Sequence, residues 1–212
     1  MWTITSLCLA VSLGGAADKS LDQVHRAYSR AGDIQADFTQ TWVGKLRGKK
    51  QESGRLWAKQ DGRVRWEYAK PERKFFIYDG KTAYFYEPQN SQVTVFDDFN
   101  QSQLSSALKF LMGRGAISEH FDVGPCQKKC DLGEPGDTVV RLTPKKPMAS
   151  VDHVLLVIMS KTHHVRMSVV YDALGNRTEY RFSGLTAGVK VPDKKFEFKA
   201  PKGVQELRAT LN

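Results

Sequence analysis

The sequence predicts a mainly β fold with helices: one curved antiparallel sheet that curls into an incomplete barrel, with helices against its concave face. Three observations predict it. A hydrophobic period of two recurs in roughly ten or eleven consecutive segments, turn dipeptides such as Asp79-Gly80 and Gly175-Asn176 separate some of them, and only two segments show helical spacing. A twisted sheet of that size curls or closes rather than staying flat. Each helix carries a single apolar stripe, and the concave side of such a sheet is the economical place to bury it.

The elements follow in order. Residues 1–17, "MWTITSLCLAVSLGGAA", carry no charged side chain and end in small residues, with Gly15 and Ala17 at the −3 and −1 places before Asp18. They are expected to be a secretory signal peptide, leaving residues 18–212 as a single exported domain. The apolar run is too short to span a bilayer. Leu7 precedes Cys8 where an acylated lipoprotein needs a small residue, so lipidation is not expected.

"DKSLDQVHRAYSRAG", 18–32, places Leu21, Val24, Tyr28 and Ala31 on one helical stripe, with Gly32 as a stop. His25 sits beside the stripe as a boundary residue. From Phe38 the period changes to two, giving a strand to Leu46 and a second over 49–59. In "GRLWAKQDGRVRWEY" a three-residue loop, Gln60-Asp61-Gly62, with Gly62 left-handed, sets Leu56 opposite Trp66 and Ala58 opposite Val64. Arg55 then faces Glu67, and Trp57 faces Arg65 as a stacking pair on the other side. A one-residue slip would exchange the faces. "RKFFIYDGKTAYFYEP", 73–88, is apolar on both sides, which predicts strands covered on both. A strand over 92–98 follows.

"NQSQLSSALKFLMGRG" is the second helical stripe, with Leu104, Ala107, Leu108, Leu111 and Met112. Strands resume at 118–123, 138–143, 151–159, 164–171 and 177–183. "KKFEFKAPKGV" gives a last short strand and an extended tail.

The 212 residues, 41% hydrophobic and 26% charged, suffice for one domain with a sizeable core. No low-complexity linker or repeat divides them. The net charge of +9 points to an acidic partner, or serves solubility alone. Without the signal, Cys126 and Cys130 remain. Four residues apart among Gly and Pro in an oxidising compartment, they are expected to form a local disulfide. A metal site would need more ligands than the nearby His120, so no metal is expected.

No nucleophile elbow, zinc-protease pattern or phosphate loop is present. His163 and His164 are read as neighbours on a strand that point to opposite faces. Asp97 and Asp98 read as a solvated turn. Nucleic-acid binding needs aromatic and basic side chains on one face, and here most are separated. The aromatic face of the 54–68 hairpin is therefore either core filled by its own side chains or the wall of a site for an apolar ligand.

"ADFTQ" after a first helix, "GRLWAKQDGRVRWEYAKP", "IYDGKTAYFYEP" and "KFEFKAPKGV", in that order, resemble the LolA-like family. The resemblance covers nearly all of the chain after the signal. It implies an unclosed β-barrel with a helical lid over an apolar cavity, in a monomer of the Gram-negative periplasm that needs no cofactor and catalyses nothing. It implies triacylated lipoproteins as cargo, taken from a LolCDE-type inner-membrane transporter and passed to a LolB-type acceptor. The family also holds acceptors, which are lipoproteins themselves, and lipid-sensing regulators of envelope stress. A carrier or sensor of another lipid is therefore the alternative. The cavity wall would be Leu56, Val64, Trp66, Tyr68, Phe76 and Phe85, and the lid residues Leu104, Leu108, Leu111 and Met112. Carriers of the family hold the lid closed with an arginine in the loop after "LWxK". That position here is Gln60, and the nearby Arg63 and Arg65 are expected to point outward.

Overall fold

The computed structural model describes residues 14–44, 48–97, 99, 117–126, 130–148 and 151–209. The chain begins with helix α1, Gly14–Ala31. It starts one turn earlier than the sequence predicts, because Ala17 continues the stripe of Leu21, Val24 and Tyr28, and all four are buried. Gly32, at φ +68°, lets the chain leave the helix directly into the sheet.

The strands are β1 (Asp33–Gly44), β2 (Gly48–Ala58), β3 (Val64–Lys70), β4 (Lys74–Tyr78), β5 (Ala83–Glu87) and β6 (Gln92–Phe96). After a single helical turn, α2 (Ile117–His120), come β7 (Phe121–Pro125), β8 (Thr138–Pro144), β9 (His153–Ile158), β10 (Val165–Tyr171), β11 (Arg177–Val189) and β12 (Gln205–Arg208). They form one twelve-stranded sheet in the order β12-β6-β5-β4-β3-β2-β1-β11-β10-β9-β8-β7. The edges β12 and β7 are not paired with each other, so the barrel is unclosed. β1 starts at Asp33 rather than at Phe38, because Ile34 and Ala36 extend its buried face.

The hairpin register is the expected one. Leu56 pairs with Trp66, Ala58 with Val64, Arg55 with Glu67 and Trp57 with Arg65. Gly62 has φ +97°, and Lys59 and Arg63 close the loop through a 2.9 Å backbone bond. In β2, Gly54 sits at a register shift where a Cβ would collide with the Glu67 carbonyl.

Three details differ from expectation. Residues 118–120 belong to the helical turn, and the strand starts only at Phe121. His163 and His164 lie in the turn before β10, with His163 at φ +57°. The last strand is 205–208, not the "KKFEF" stretch, and it pairs parallel with β6 while the other pairs are antiparallel. "DKKF" instead forms a short 3₁₀ turn, Asp193–Phe196, whose Phe196 is 1% exposed.

The sheet has two distinct faces. The inner face holds the main core, in which the stripe of α1 joins Ile34, Phe38, Leu56, Val64, Trp66, Val140, Leu142, Val154, Leu156 and Phe182 in one cluster, with the helix lying nearest β7 and β8. The outer face is covered in two places. The segment from Val191 to Val204 crosses it as a strap before β12 joins the sheet edge, which explains why β4 and β5 are apolar on both sides. Ile77 and Val93 are wholly buried, and Phe198 packs on Tyr84 and Tyr86. On the other half, Leu155, Val157, Met167 and Val169 form a second cluster beneath Cys126, Cys130 and Leu132. The two cysteines are disulfide-bonded, with Cα atoms 6.4 Å apart.

Candidate functional site: the inner face of the sheet

The inner face is assembled by strand register. Leu56, Trp66, Phe76 and Phe85 pair in succession across β2 to β5. One-in-two alternation therefore lines four large side chains into a single rung. Ala58, Val64, Tyr78 and Ala83 make the next rung, toward the Gln60 loop. Tyr68 lies beyond Trp66 in the other direction. The six wall residues expected from the sequence thus share one face. Their cover differs: Leu56, Val64 and Trp66 are buried, whereas Tyr68, Phe76 and Phe85 are only partly so.

Sequence reasoning missed three aromatic residues of this face. Phe38 lies 4.6 Å from Trp66 between ring centroids, and Tyr180 and Phe182 meet Trp66 edge-on at 5.9 and 6.2 Å. For Tyr180 and Phe182 the signal was the alternation in "RTEYRFS". What the alternation left open was which face of β11 turns inward, and β1 decides that by pairing with β11.

The rim beyond Tyr68 is polar. Tyr68 donates its hydroxyl to Gln40 Oε1 at 2.8 Å. Glu52 accepts from Lys74 at 2.7 Å and lies 3.1 Å from Lys50, and Lys74 Nζ sits 4.3 Å over the Tyr68 ring. Burial raises the Glu52 pKa, but the two lysines outweigh it and hold the carboxyl below its usual range. Burial pushes Tyr180 up to about 12, so its hydroxyl stays protonated at physiological pH.

At the opposite end α1 closes the face. The Tyr28 hydroxyl accepts from Val165 N–H at 3.2 Å, and its ring tilts on His164 at 5.1 Å. Gln60 donates from its backbone to Asp33 and from Nε2 to the Ser29 carbonyl, both at 3.2 Å, so it ties the hairpin loop to the end of α1. Arg63 and Arg65 lie on the strap side. Arg63 binds Asp61 and Asp193 and lies over Phe196, and Arg65 donates to Glu67 and to the Lys195 carbonyl. The expected Trp57–Arg65 stack is replaced: Lys195 takes the Trp57 ring, and Arg65 lies over Phe75.

Leu104, Leu108, Leu111 and Met112 lie outside the described residues. The chain nevertheless leaves and re-enters at the inner face. Phe99 is buried against Phe76, Tyr78 and Phe96, and Ile117 packs on the same core.

The outer face carries a 480 Å³ cleft lined by Asp37, Arg55, Glu67, Lys70, Arg73 and Phe75, among others. Its charge suits it poorly to an apolar ligand. Among the described residues no three His, Cys, Asp or Glu side chains are grouped to hold a metal, and no helix is long and apolar enough to cross a membrane.

A family model described as outer membrane lipoprotein carrier protein LolA matches residues 29–199. The chain belongs to the LolA family. Two relatives named outer-membrane lipoprotein carrier protein support the same placement. That of Bordetella avium is 30% identical over 97% of this chain and 94% of its own. That of Chromobacterium violaceum is 30% identical over 95% of this chain and 94% of its own. In fold, the LolA-family chain is similar to an uncharacterized conserved protein from Thermus thermophilus, at TM-score 0.60 and 14% identity over 92% of this chain and 99% of that one.

Proposed function

We infer that this protein is a periplasmic carrier that binds the acyl chains of lipoproteins on its inner face and moves them from the inner to the outer membrane. Family membership supports the cargo class. The observation that carries the reading is the continuous apolar rung Leu56–Trp66–Phe76–Phe85, whose far end is only partly covered within the protein itself. Cargo is handed over by an inner-membrane transporter of LolCDE type and passed to an acceptor of LolB type. The carrier acts as a monomer, by binding rather than by catalysis. Residues 1–17 direct export and are removed; this trims the first turn of α1 and leaves the Leu21–Val24–Tyr28 stripe in place.

A buried methylene contributes about 0.8 kcal/mol, so one sixteen-carbon chain fully buried would gain roughly 12 kcal/mol. Three such chains held that tightly could not be released. Cargo burial is therefore partial, and the 100–116 segment competes for the same face. Its stripe of Leu104, Leu108, Leu111 and Met112 acts as a lid anchored at Phe99 and Ile117. Opening the lid exposes that stripe, and this cost offsets cargo binding. The Leu108→Glu variant is expected to bind acyl chains less well and to keep the fold.

The deciding experiment adds the purified protein to spheroplasts carrying a radiolabelled lipoprotein. Release of a one-to-one soluble complex is expected, and it would also show that loading proceeds with Gln60 at the latch position. Absence of release, with phospholipid found in the purified protein, would replace this reading by a carrier or sensor of another lipid.

A further inference from the structure

Two buried side-chain polar atoms have no hydrogen-bond partner among the described residues: Trp66 Nε1 and Ser168 Oγ. Trp66 is 3% exposed and Ser168 wholly buried. Buried donors and hydroxyls are almost always satisfied, so each exception calls for a physical account. These two adjoin one residue. Tyr180 meets the Trp66 ring edge-on at 5.9 Å, and it stands directly opposite Ser168 in the β10–β11 register. The Tyr180 hydroxyl makes no hydrogen bond among the described residues either, while its neighbour Tyr68 is engaged by Gln40. Tyr180 thus stands between these two groups on the inner face, in the same rung as Gln40, where the apolar rung gives way to the polar rim of Gln40, Glu52 and Lys74.

The geometry points to a subsite for an acyl carbonyl: Trp66 Nε1–H, the Tyr180 hydroxyl and the Ser168 hydroxyl donate to the carbonyl oxygen of an ester or amide that joins an acyl chain to its cargo. The inference rests on the carrier reading above and deepens it. An alkyl chain lies along Leu56, Phe76 and Phe85 and needs no donor. At the head of the chain in any ester- or amide-linked lipid stands a carbonyl group, whose oxygen is an acceptor with no donor of its own. A face supplying only acceptors there would repel it. This one supplies an indole N–H, which can only donate, and two hydroxyls free to rotate toward the ligand. The neutral Tyr180 hydroxyl keeps its proton across the physiological range. Shape and apolar area set how much chain is held. The three donors set where along the chain the face begins, and so distinguish an acylated cargo from a bare hydrocarbon of equal length.

The test compares two probes on the full mature chain: a tripalmitoylated cysteinyl lipopeptide, and its analogue in which the two glycerol esters and the amide-linked acyl group are replaced by ether and alkyl linkages. Binding is measured for the wild type, Tyr180→Phe and Trp66→Phe. Tyr180→Phe removes only a hydroxyl that holds nothing in the fold, and far-ultraviolet circular dichroism verifies folding of each variant. Wild type is expected to prefer the carbonyl-bearing probe by about tenfold or more, the scale of one or two hydrogen bonds to a buried acceptor. Tyr180→Phe should lose most of that preference while binding the carbonyl-free analogue as before, whereas Trp66→Phe, which also reshapes the apolar wall, should weaken both probes but the carbonyl-bearing one more. Equal affinity of the wild type for the two probes would overturn the subsite and leave the carrier reading standing. So would an equal loss on both probes in the variants, which would mark Trp66 and Tyr180 as packing residues beside a trapped water. Failure of the wild type to bind either probe would remove the carrier reading and the subsite together.

Discussion

Lys195 Nζ stands 3.7 Å from the centroid of the Trp57 ring, on the outer face of the sheet. The contact joins residues 138 positions apart and fastens the strap to the C-terminal end of β2. Around it Lys59 and Arg63 both hold Asp193, and Asp33 accepts from Val191 N–H at 3.1 Å. The wet, cationic side of the 54–68 hairpin is therefore an internal interface, and its cations largely serve the protein's own tail.

The strap makes Phe196 a core residue on the far side from α1. Phe196→Ala should cost about 3–5 kcal/mol of stability, the range for deleting a buried aromatic ring. Urea unfolding measures it. A loss under 1 kcal/mol would show that the strap folds independently of the sheet.

Arg166 donates to Asp137 at 2.6 Å, and the Asp137 side chain is only 3% exposed. Burial raises the Asp137 pKa, but Arg166 outweighs it and the net shift is downward. A depressed carboxylate contributes stability that is present above its unfolded value, near 3.8, and is lost as pH falls through its lower folded value. Arg166→Gln should therefore destabilise by about 1.5–3 kcal/mol at pH 7 and by much less at pH 3. Melting temperatures at the two pH values test this, and a constant gap between variant and wild type would contradict it.

His164, against Tyr28 of α1, has its pKa lowered first by burial and then by the neighbouring His163. A histidine that folds more readily neutral binds protons better when unfolded, so stability falls as pH drops through its usual value of 6.5. The melting temperature should decline between pH 7.5 and 5.5, and His164→Gln should flatten that decline. An unchanged slope in the variant would assign the pH dependence elsewhere.

The Cys126–Cys130 bridge closes a short loop over Leu155, Val157, Met167 and Val169. In the chain-entropy account a loop of this size contributes about 2 kcal/mol. Replacing both cysteines by serine should lower stability by about that amount and leave acyl-chain binding unchanged. A selective loss of binding would tie this loop to cargo rather than to the sheet.

The sequence by itself determined much of this protein. Alternation and one left-handed glycine were enough to set Leu56 against Trp66, because only that register keeps the apolar side chains on one face. The same logic put Phe75 and Ile77 on a second apolar face and so required a cover. What it could not supply was the identity of that cover. "KKFEFKAPKGV" reads as a strand, yet only the packed sheet decides that Phe196 enters the outer core and that the chain then runs on to pair parallel with β6. Such contacts join positions more than a hundred residues apart, and no local periodicity encodes them. The candidate site divides in the same way. The six wall residues were legible from strand register, whereas Tyr180 and Ser168 became part of the site only when β11 closed against β1 and β10. Their significance lies in partners they lack, and a missing partner is visible only once all neighbours are in place.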